Sequence, residues 1–575
     1  MALFRWSREC IHKSTLFFAA AAVAAMTACT PVPATVPATS SPATAGPATD
    51  PPPESERPTT APPSASSSLD PGLRPLGWGP EQRDQDAAAA AVAAMSVQEK
   101  AGQVLMPGYT GTDAEAQAAT MERLHLAGSI IMGDNVPLDA RGQADPVAIA
   151  AVTARLAQAT RASGRPWPGI IGIDQEGGIV ARLGAPLTEW PTALGYGATG
   201  NMPLTKEAGR ALAAEIGSLG FTLDFAPVAD VTIGPADPTI GARSMSGNPD
   251  AAGALAVAFS QGMLEAGVLP ALKHFPGHGS VTVDSHQDLP VQPAGIAELE
   301  TRDWKPFRAA IAAGMPIVMT GHIAVPALEP GVPASLSRPT YAALRSMGFK
   351  GVAVTDALNM GAVQQQYPGG SAATAALAAG ADLLLMPTDV GQAHAAIVSA
   401  VAAGTLPTAR LDEAANRVAT MMAWRGRAAS PPGAAPASAP GSGGEISARV
   451  SAASVTVLSG HCGAPIVQGS IRIAGGSAQD RTRFEAAAAK AGLGTGSGPL
   501  VSLIGYAGRP VGGDIAVALD APWPLQDSTA PVKIALYGRT RGAFDALVAV
   551  LAGKAAAPGK LPAAVGSYPA GTGCP

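Results

Sequence analysis

The densest group of chemically active residue types lies in the middle of the chain. Four of its eight histidines fall between positions 274 and 322, and two of these belong to the segment KHFPGHG at 273–279. A second segment, DSH at 284–286, begins shortly after it. An aspartate two residues before a histidine on a loop can hold the ring through one nitrogen and leave the other to carry a proton. The pair Asp284 and His286 therefore predicts acid–base chemistry.

Two other interpretations of these histidines stay open at this point. Asp284 and His286 also fit an ordinary pair on a surface loop with no catalytic role. His274, His278 and His286 could together bind zinc. Their spacing matches no standard pattern of zinc ligands, however, and the cation of Lys273 disfavours a metal, so we expect none.

A second candidate is Asp356, which follows the apolar run at 351–355. A carboxylate at the end of a buried strand is partly desolvated, which suits a reactive group. Aspartate is equally common as the N-cap of a helix that follows a strand. The residue pattern alone leaves both interpretations open.

Two polar turns complete the set of candidates. Asp174 begins the turn DQEGG at 174–178, and Arg182 follows it. Glycines allow the backbone to approach a ligand closely, and aspartate and arginine suit hydrogen bonds to hydroxyl or carbonyl groups. Arg243 follows a loop after another apolar run, although an isolated arginine is usually just exposed.

Short apolar runs alternate with alanine-rich helical stretches around these residues, which predicts repeated βα units. The predicted strands are residues 104–106, 129–132, 169–173, 221–225, 270–273, 317–320, 352–355 and 382–385. The predicted helices are 145–162, 205–219, 250–266, 301–313 and 339–346. Eight strands favour a (β/α)8 TIM barrel, with the candidates just after the carboxyl ends of strands. A doubly wound sheet is the main alternative.

Composition divides the rest of the chain. Hydrophobic residues make up 47%, which excludes wholesale disorder, and a net charge of −5 without a basic block argues against a nucleic-acid partner. We predict a signal peptide at 1–28, a Pro/Thr/Ala/Ser-rich tether at 29–69, the barrel at 70–427, a Pro/Gly/Ala/Ser linker at 428–444 and a C-terminal α/β domain at 445–575.

The cysteines indicate the compartment. A positively charged start and a short apolar run end in Met-Thr-Ala-Cys, which resembles a bacterial lipobox and predicts lipidation of Cys29. An ordinary cleaved signal with a chance cysteine is the alternative. We therefore expect an extracytoplasmic protein that is lipid-anchored to the bacterial cell membrane. In an oxidising exterior, Cys462 and Cys574 could form a disulfide.

Taken together, the motifs resemble glycoside hydrolase family 3, and specifically its β-N-acetylglucosaminidase branch. The matching segments occur in the family's order at 95–106, 173–182, 223–244, 273–290, 319–323 and 354–360. The sequence departs from the family at Ile179, where many relatives carry arginine, at Gln175, where some carry histidine, and at Ala357, where another acid is common.

The resemblance implies a retaining double displacement without a cofactor. It assigns Asp356 as nucleophile, His286 as acid/base and Asp284 as the residue that orients the imidazole. The residues that it implies for binding the N-acetylglucosamine ring are Asp174, Arg182, Arg243, Lys273 and His274. It also implies that the C-terminal region is a reduced α/β sandwich.

These inferences predict an exo-β-N-acetylglucosaminidase that acts on cell-wall, peptidoglycan-derived glycans. Because a neutral imidazole repels anions less than a carboxylate does, phosphate could compete with water, and phosphorolysis is one alternative. A wall-glycan-binding lipoprotein without hydrolytic activity is another, and metal-dependent hydrolysis by the histidine cluster is a third.

Overall fold

A computed structural model describes residues 71–575, except 163, 287, 429–437 and 510–511. The predicted signal peptide, Cys29 and the tether lie outside the described residues. The described residues from 71 to 575 lie in one compact unit. Within the described part of the chain, no helix is long and apolar enough to span a bilayer.

The α-helices are distributed along the whole described chain. They are α1 (Gln82–Ala93), α2 (Val97–Gln103), α3 (Ala114–Leu124), α4 (Pro146–Ala162), α5 (Ala193–Thr199), α6 (Met202–Ser218), α7 (Pro249–Glu265), α8 (Ile296–Thr301), α9 (Lys305–Ala312), α10 (Arg338–Ser346), α11 (Gly361–Gln364), α12 (Ser371–Ala379), α13 (Val390–Ala402), α14 (Thr408–Ala428), α15 (Gly444–Ser454), α16 (Ala478–Ala491) and α17 (Arg541–Leu551).

The strands belong to one curled parallel sheet, two short hairpins and one C-terminal sheet. They are β1 (Leu105–Met106), β2 (Gly128–Ile131), β3 (Ile170–Ile173), β4 (Gln175–Gly177), β5 (Val180–Ala181), β6 (Leu223–Asp224), β7 (Leu269–Phe275), β8 (Ile317–Thr320), β9 (Ala324–Val325), β10 (Glu329–Pro333), β11 (Val352–Thr355), β12 (Leu384–Leu385), β13 (Thr456–Ser459), β14 (Ser470–Gly475), β15 (Gly494–Ile504), β16 (Ile515–Ala518) and β17 (Val532–Ala535).

The curled sheet confirms the predicted α/β fold. Six strands pair in the order β2-β3-β6-β7-β8-β11, all parallel, and β1 pairs with β12 beside them. The order follows the sequence in one direction, whereas a doubly wound sheet reverses direction at a switch point. The strands are wholly buried, as expected where helices cover a parallel sheet.

Backbone hydrogen bonds link the β1–β12 pair to both edges of the six-stranded sheet. On one side, Ala127 N donates to Leu105 O at 3.1 Å and Ile130 N donates to Pro107 O at 3.1 Å. On the other side, Thr355 N donates to Leu383 O at 3.0 Å. The eight strands predicted from the sequence are therefore neighbours in sequence order.

The predicted helix at 301–313 is wrong in its extent. The structure has two helices there, α8 and α9, separated at Arg302. Pro306 lies in the first turn of α9, where its missing N–H has no partner to lose. A helix that continued unbroken from 301 would place this proline in its interior, at the cost of a hydrogen bond and a clash.

The C-terminal residues form a five-stranded sheet in the order β13-β17-β16-β15-β14, with only the β13–β17 pair antiparallel. The predicted cysteine pair is joined here, since Cys462 and Cys574 form a disulfide with a Cα–Cα distance of 5.7 Å.

The C-terminal sheet contacts the loops of the curled sheet directly. Thr192 N donates to Tyr537 O at 2.8 Å, and Ser246 Oγ donates to Pro562 O at 2.9 Å. The end of the predicted linker is also bonded, because Gly443 N donates to Thr188 Oγ1 at 3.1 Å. The two predicted domains stay a prediction, but their described residues pack within one unit.

A buried ionic cluster joins the last part of the curled sheet to its outer helices. Asp382 has no exposed surface, and its carboxylate lies 2.5 Å from Arg345, 2.9 Å from Arg410 and 3.0 Å from Arg417. The same carboxylate accepts the N–H of Ala353 in β11 at 3.0 Å. A buried charge of this kind is tolerated only because its partners surround it.

We expect Asp382→Asn to lower the free energy of unfolding by about 3–5 kcal/mol, because three guanidinium groups lose their anionic partner. Urea denaturation followed by tryptophan fluorescence measures the change. The matched control is Glu300→Gln, which breaks the exposed pair with Arg308 and should cost less than about 1 kcal/mol. Equal losses in the two variants would contradict a structural role for the Asp382 cluster.

Candidate active site

The candidate residues meet at one edge of the curled sheet. Asp174 follows β3, Lys273 and His274 lie near the end of β7, and Asp356 follows β11. Because these strands are parallel, their carboxyl ends face the same side. Catalytic residues of barrel enzymes occupy this edge, and the candidates lie there as the sequence predicted.

Four of the predicted binding side chains form one ion-pair network with Glu176. Lys273 Nζ lies 2.9 Å from Asp174 Oδ1 and 2.7 Å from Glu176 Oε1. Arg243 binds both oxygens of Glu176, at 2.7 and 2.9 Å. Arg182 lies 3.2 Å from the second oxygen of Asp174. The result is a continuous polar wall in which cations and carboxylates alternate.

Glu176 is the buried centre of this wall. Burial raises the pKa of its carboxyl, but the charges of Arg243 and Lys273 together lower this pKa by more. The pKa therefore lies well below its usual range. Burial lowers the pKa of Lys273, and the carboxylates of Asp174 and Glu176 more than compensate and raise it. Glu176 belongs to the turn DQEGG, and its position between two predicted binding cations fits a structural role.

The hairpin β4–β5 gives Asp174 and Arg182 their positions. Its turn requires left-handed backbone at Gly177 and Gly178, with φ of 89° and 58°. Gln175 closes the hairpin, because its side-chain oxygen accepts the N–H of Arg182 at 2.8 Å and its amide donates to Leu183 O at 3.1 Å. Gln175, one of the departures from the family pattern, thus supports the hairpin from inside.

The short helical turn that carries Arg243 touches the C-terminal sheet. Gly241 lies in this turn with φ of 40°, and a side chain there would collide with the hydroxyl of Tyr506. Asp237 caps the same turn by accepting the N–H groups of Ile240 at 2.8 Å and Gly241 at 2.9 Å. Tyr506, which follows β15, was not among the candidates and carries no sequence signal of its own.

Asp230 is a site residue that sequence reasoning missed. It is fully buried, and its Oδ2 lies 2.6 Å from Nδ1 of His274 and 3.0 Å from the backbone nitrogen of the same residue. Its Oδ1 accepts the N–H of His278 at 2.6 Å. The only sequence signal was its place in FAPVAD, a polar end to an apolar run. One buried carboxylate therefore holds two histidines of the motif KHFPGHG.

Asp356 presents a partly exposed carboxylate at the strand ends. Its backbone N–H donates to Thr320 O at 2.9 Å, and its Oδ1 accepts the N–H of Ala357 at 2.8 Å. Burial raises the pKa of the Asp356 carboxyl, but the imidazoles of His274 and His322 lower it more, to about 2. The N-cap interpretation is wrong, because the next helix, α11, has Met360 as its N-cap.

His322 supports the strand end beside Asp356. It is fully buried, with Nδ1 2.6 Å from Ser335 Oγ and Nε2 2.9 Å from the carbonyl oxygen of Ala357. Burial lowers its pKa, against the opposing effects of the Asp356 carboxylate and of the hydrogen bond to Ala357. One ring nitrogen therefore holds the backbone next to Asp356, and the other fixes the ring against Ser335.

Asp284 and His286 lie together on the loop after β7. Nδ1 of His286 is 2.8 Å from Oδ1 of Asp284, and the His286 side chain is 63% exposed. Among the described residues, no side chain binds the other ring nitrogen, which is therefore available to a ligand. The pair forms as predicted, but no hydrogen bond in this part of the chain joins it to Asp356.

A metal centre is not formed by these histidines. In the described ranges, no group of three or more His, Cys, Asp or Glu side chains is arranged to hold a metal ion. His274 and His278 pack edge to face with ring centroids 5.7 Å apart. Their polar contacts are instead with Asp230 and Ser285.

Asp224, at the end of β6, is a second residue that sequence reasoning missed. Its Oδ1 accepts the N–H of Gln175 at 2.8 Å, while its buried Oδ2 has no hydrogen-bond partner. Burial raises the pKa of Asp224 to about 8, and the neighbouring carboxylates of Asp174 and Glu176 act in the same direction. A neutral carboxylic acid therefore lies beneath the ion-paired wall near neutral pH.

Comparisons with known proteins find one matching family and several similar proteins. Residues 96–421 match the glycosyl hydrolase family 3 N terminal domain. Beta-hexosaminidase LpqI of Mycobacterium tuberculosis is 34% identical over 339 residues, which cover 57% of this chain and 83% of that protein. Beta-hexosaminidase of Xylella fastidiosa is 35% identical over 290 residues, which cover 49% of this chain and 83% of that protein.

Solved structures extend the likeness beyond residues 96–421. A glycoside hydrolase family 3 beta-N-acetylglucosaminidase from Paenibacillus sp. str. FPU-7 is 28% identical, with a TM-score of 0.73 over 82% of this chain and 99% of that chain. The structure of M. tuberculosis LpqI is 34% identical, with a TM-score of 0.53 over 58% of this chain and 96% of that chain.

The raised pKa of Asp224 predicts a pH-dependent effect of Asp224→Asn. The native wild-type protein keeps this proton up to a pH of about 8, whereas the unfolded chain loses it near the ordinary value of 3.8. Wild-type stability therefore falls relative to the variant as the pH rises between these values, by at most about 1.4 kcal/mol per pH unit.

Urea denaturation of both proteins at several pH values from 5 to 8 measures this difference. We expect the variant to become progressively more stable than the wild type across that range. Asp86→Asn, which replaces an exposed carboxyl by the same amide, is the matched control. A difference for Asp224→Asn that stays constant with pH would show that the carboxyl is ionised in the native protein.

Proposed function

Because the chain belongs to glycoside hydrolase family 3 and is a glycosidase of the β-hexosaminidase type, we propose that it is a retaining exo-β-N-acetylglucosaminidase. Its substrates are glycans derived from peptidoglycan that end in β-linked N-acetylglucosamine. The observation that carries this proposal is the ionised carboxylate of Asp356, which lies at the same strand-end edge as the polar wall around Glu176.

The first step is attack by Asp356 on the anomeric carbon. A bond forms between this carbon and a carboxylate oxygen while the bond to the leaving oxygen breaks, and His286 gives its proton to that oxygen. The low pKa of Asp356 keeps the nucleophile ionised at neutral pH and makes it a good leaving group afterwards. In the second step, His286 takes a proton from water as the water oxygen displaces Asp356.

Asp284 orients His286 for the first step. Its Oδ1 lies 2.8 Å from Nδ1 of the ring, which leaves Nε2 for proton transfer to the leaving oxygen. Burial raises the pKa of Asp284, but hydrogen bonds from His286 lower it below the ordinary value, so the carboxylate stays ionised beside the ring. The pair therefore works as one acid/base unit.

The polar wall suits an uncharged sugar with several hydroxyl groups. Asp174 offers acceptors, while Arg182, Arg243, Lys273 and His274 offer donors, and the two carboxylates offset much of the positive charge. Hydrogen bonds to charged partners are stronger than those between neutral groups and fix orientation. This is the basis for assigning these side chains to the N-acetylglucosamine ring.

Phosphorolysis at the same site is a second candidate. The observation in its favour is the exposed imidazole of His286, with its free nitrogen, at a position where a carboxylate would repel an anion. Phosphate would then take the place of water in the second step and release N-acetylglucosamine 1-phosphate. The product therefore distinguishes the two reactions.

We further propose a closed (β/α)8 barrel at 70–427 and a separate α/β sandwich at 445–575. Hydrogen bonds on both sides of the β1–β12 pair support closure of the barrel. The five-stranded sheet with α15, α16 and α17 supports the sandwich. A crystal structure in which β1 and β12 leave an open sheet edge would contradict the barrel.

We propose that the enzyme is held outside the cytoplasmic membrane by a lipid on Cys29, because a short apolar run and Met-Thr-Ala precede this residue. Cys29→Ser removes the thiol that would be lipidated, so we expect the protein to leave the membrane fraction. Cell fractionation with immunodetection measures this. Unchanged membrane association of the variant would contradict a lipid anchor at Cys29.

Product analysis by mass spectrometry tests the proposed activity. With soluble peptidoglycan fragments, we expect free N-acetylglucosamine in buffer and an additional sugar phosphate only if phosphate competes with water. Aryl N-acetyl-β-glucosaminides should be cleaved and the corresponding plain β-glucosides should not. Comparable rates on both sugars would contradict the proposed specificity, and binding without turnover would favour the glycan-binding alternative.

Asp356→Asn is the control that ties this activity to the site. Loss of the nucleophile should lower turnover by about 10³-fold or more. In the wild type, a 5-fluoro-N-acetylglucosaminyl fluoride should leave a glycosyl group on the peptide that contains Asp356. Near-normal turnover of the variant would remove Asp356 as nucleophile.

A further inference from the structure

The loop that carries Asp284 and His286 contains one buried side chain between them. Ser285 is 2% exposed, whereas the side chain of His286 is 63% exposed and that of Asp284 is 34% exposed. Of the described residues from 282 to 289, Ser285 is the only buried one. A serine that is buried in the middle of an exposed loop calls for a partner that compensates its hydroxyl.

That partner is His278, on the opposite side of the loop. Nε2 of His278 lies 2.9 Å from Oγ of Ser285, and His278 is itself 1% exposed. The backbone N–H of His278 is in turn held by Asp230. His278, which Asp230 holds in place, is therefore connected by one side-chain hydrogen bond to the exposed part of the loop at 284–286.

The contact is between neutral groups. Burial and the neighbouring His274 lower the pKa of His278 to about 4, so its ring is uncharged at neutral pH. Its Nδ1 is buried and has no hydrogen-bond partner, which leaves the bond to Ser285 as the polar contact of this ring. Losing that bond would leave both ring nitrogens without a partner, so the arrangement in which Ser285 contacts His278 is favoured.

We propose that His278 and Ser285 are positioning residues for the acid/base pair, and that the bond between their side chains fixes the loop so that His286 faces the bound glycoside. The inference rests on the proposed function, in which His286 transfers the proton. Ser285 lies directly between Asp284 and His286, so holding its side chain restricts the backbone that carries both. Ser285 and His278 themselves need not touch the substrate.

This role has a kinetic consequence that a general loss of structure does not have. When the loop is free, His286 is in place for a smaller share of the time, and the steps that need proton transfer slow down. Glycosides with poor leaving groups need that proton most, whereas a dinitrophenolate leaves without it. Water also needs the base in the second step, but an added anion such as azide does not.

The test compares Ser285→Ala with wild type on phenyl and 2,4-dinitrophenyl N-acetyl-β-glucosaminides. We expect kcat/KM to fall about 10-fold or more on the phenyl glycoside and less than about threefold on the dinitrophenyl glycoside. Azide should raise kcat of the variant on the dinitrophenyl glycoside and yield the glycosyl azide. His278→Gln retains a side-chain donor near the position of Nε2. This variant should therefore keep most of the wild-type dependence of rate on the leaving group.

Ser280→Ala is the matched control in the same loop. The Ser280 hydroxyl donates to Asp303 Oδ1 at 2.7 Å and accepts from the Gln292 amide, and not from His278, so its loss should affect both glycosides equally. His286→Ala is the reference for complete loss of the acid/base, and it should show the steepest leaving-group dependence. Unfolding midpoints of all variants establish that each one is folded.

The outcomes separate this inference from the proposed function. If His286→Ala behaves as expected but Ser285→Ala slows both glycosides equally without azide rescue, the positioning role is wrong and the proposed function stands. If Ser285→Ala is faster than wild type, the bond holds His286 away from the substrate, and the inference is again wrong. If His286→Ala shows neither effect, its acid/base role fails, and the inference fails with it.

Discussion

The ion pair of Glu176 with Lys273 and Arg243 is the interaction on which the polar wall at the strand ends depends. Three charged groups lose water together, and each would be unfavourable alone. The pairing joins a hairpin after β3, a turn after β6 and the end of β7, which are remote from one another in sequence. The ion pair thus converts three separate loops into one surface, and it leaves Asp174 and the outer nitrogens of the cations to bind a ligand.

The sequence predicted the fold and the candidate residues to different depths. Strands such as β8 and β11 were predicted with the observed bounds, because buried parallel strands are short, apolar and bordered by helices. Asp284 and His286 were paired correctly because two residues on one loop interact locally. Asp230 was missed because its importance comes from a histidine 44 positions away. Glu176 received no role from the sequence for the same reason, since its two cations come from other segments of the chain.

Electrostatic environment was the least predictable property. Asp224, Asp230 and Asp356 all lie within or directly after apolar strands or runs, and nothing in the residue pattern distinguishes their environments. In the structure, Asp224 is pushed towards the neutral acid by burial and by neighbouring carboxylates. Asp230 and Asp356 face histidines, which lower the pKa of each carboxyl despite burial. The difference depends on which side chains converge from other strands, and this is decided by the packing of the sheet.

The contact between the curled sheet and the C-terminal sheet limits how this protein can be divided. Leu194, Ala198 and Ala242 belong to the chain that forms the curled sheet, yet they pack in one apolar cluster with residues of the C-terminal sheet such as Leu525 and Tyr537. The structure of LpqI aligns over 96% of its own length with only 58% of this chain, so a shorter architecture exists among relatives. A shortened version of the present protein would expose that cluster to water. Cutting the chain after α14 would therefore yield an aggregation-prone fragment unless those apolar positions were first made polar. Whether this chain can be shortened therefore depends on the chemistry of the surface at this contact as much as on where the chain is cut.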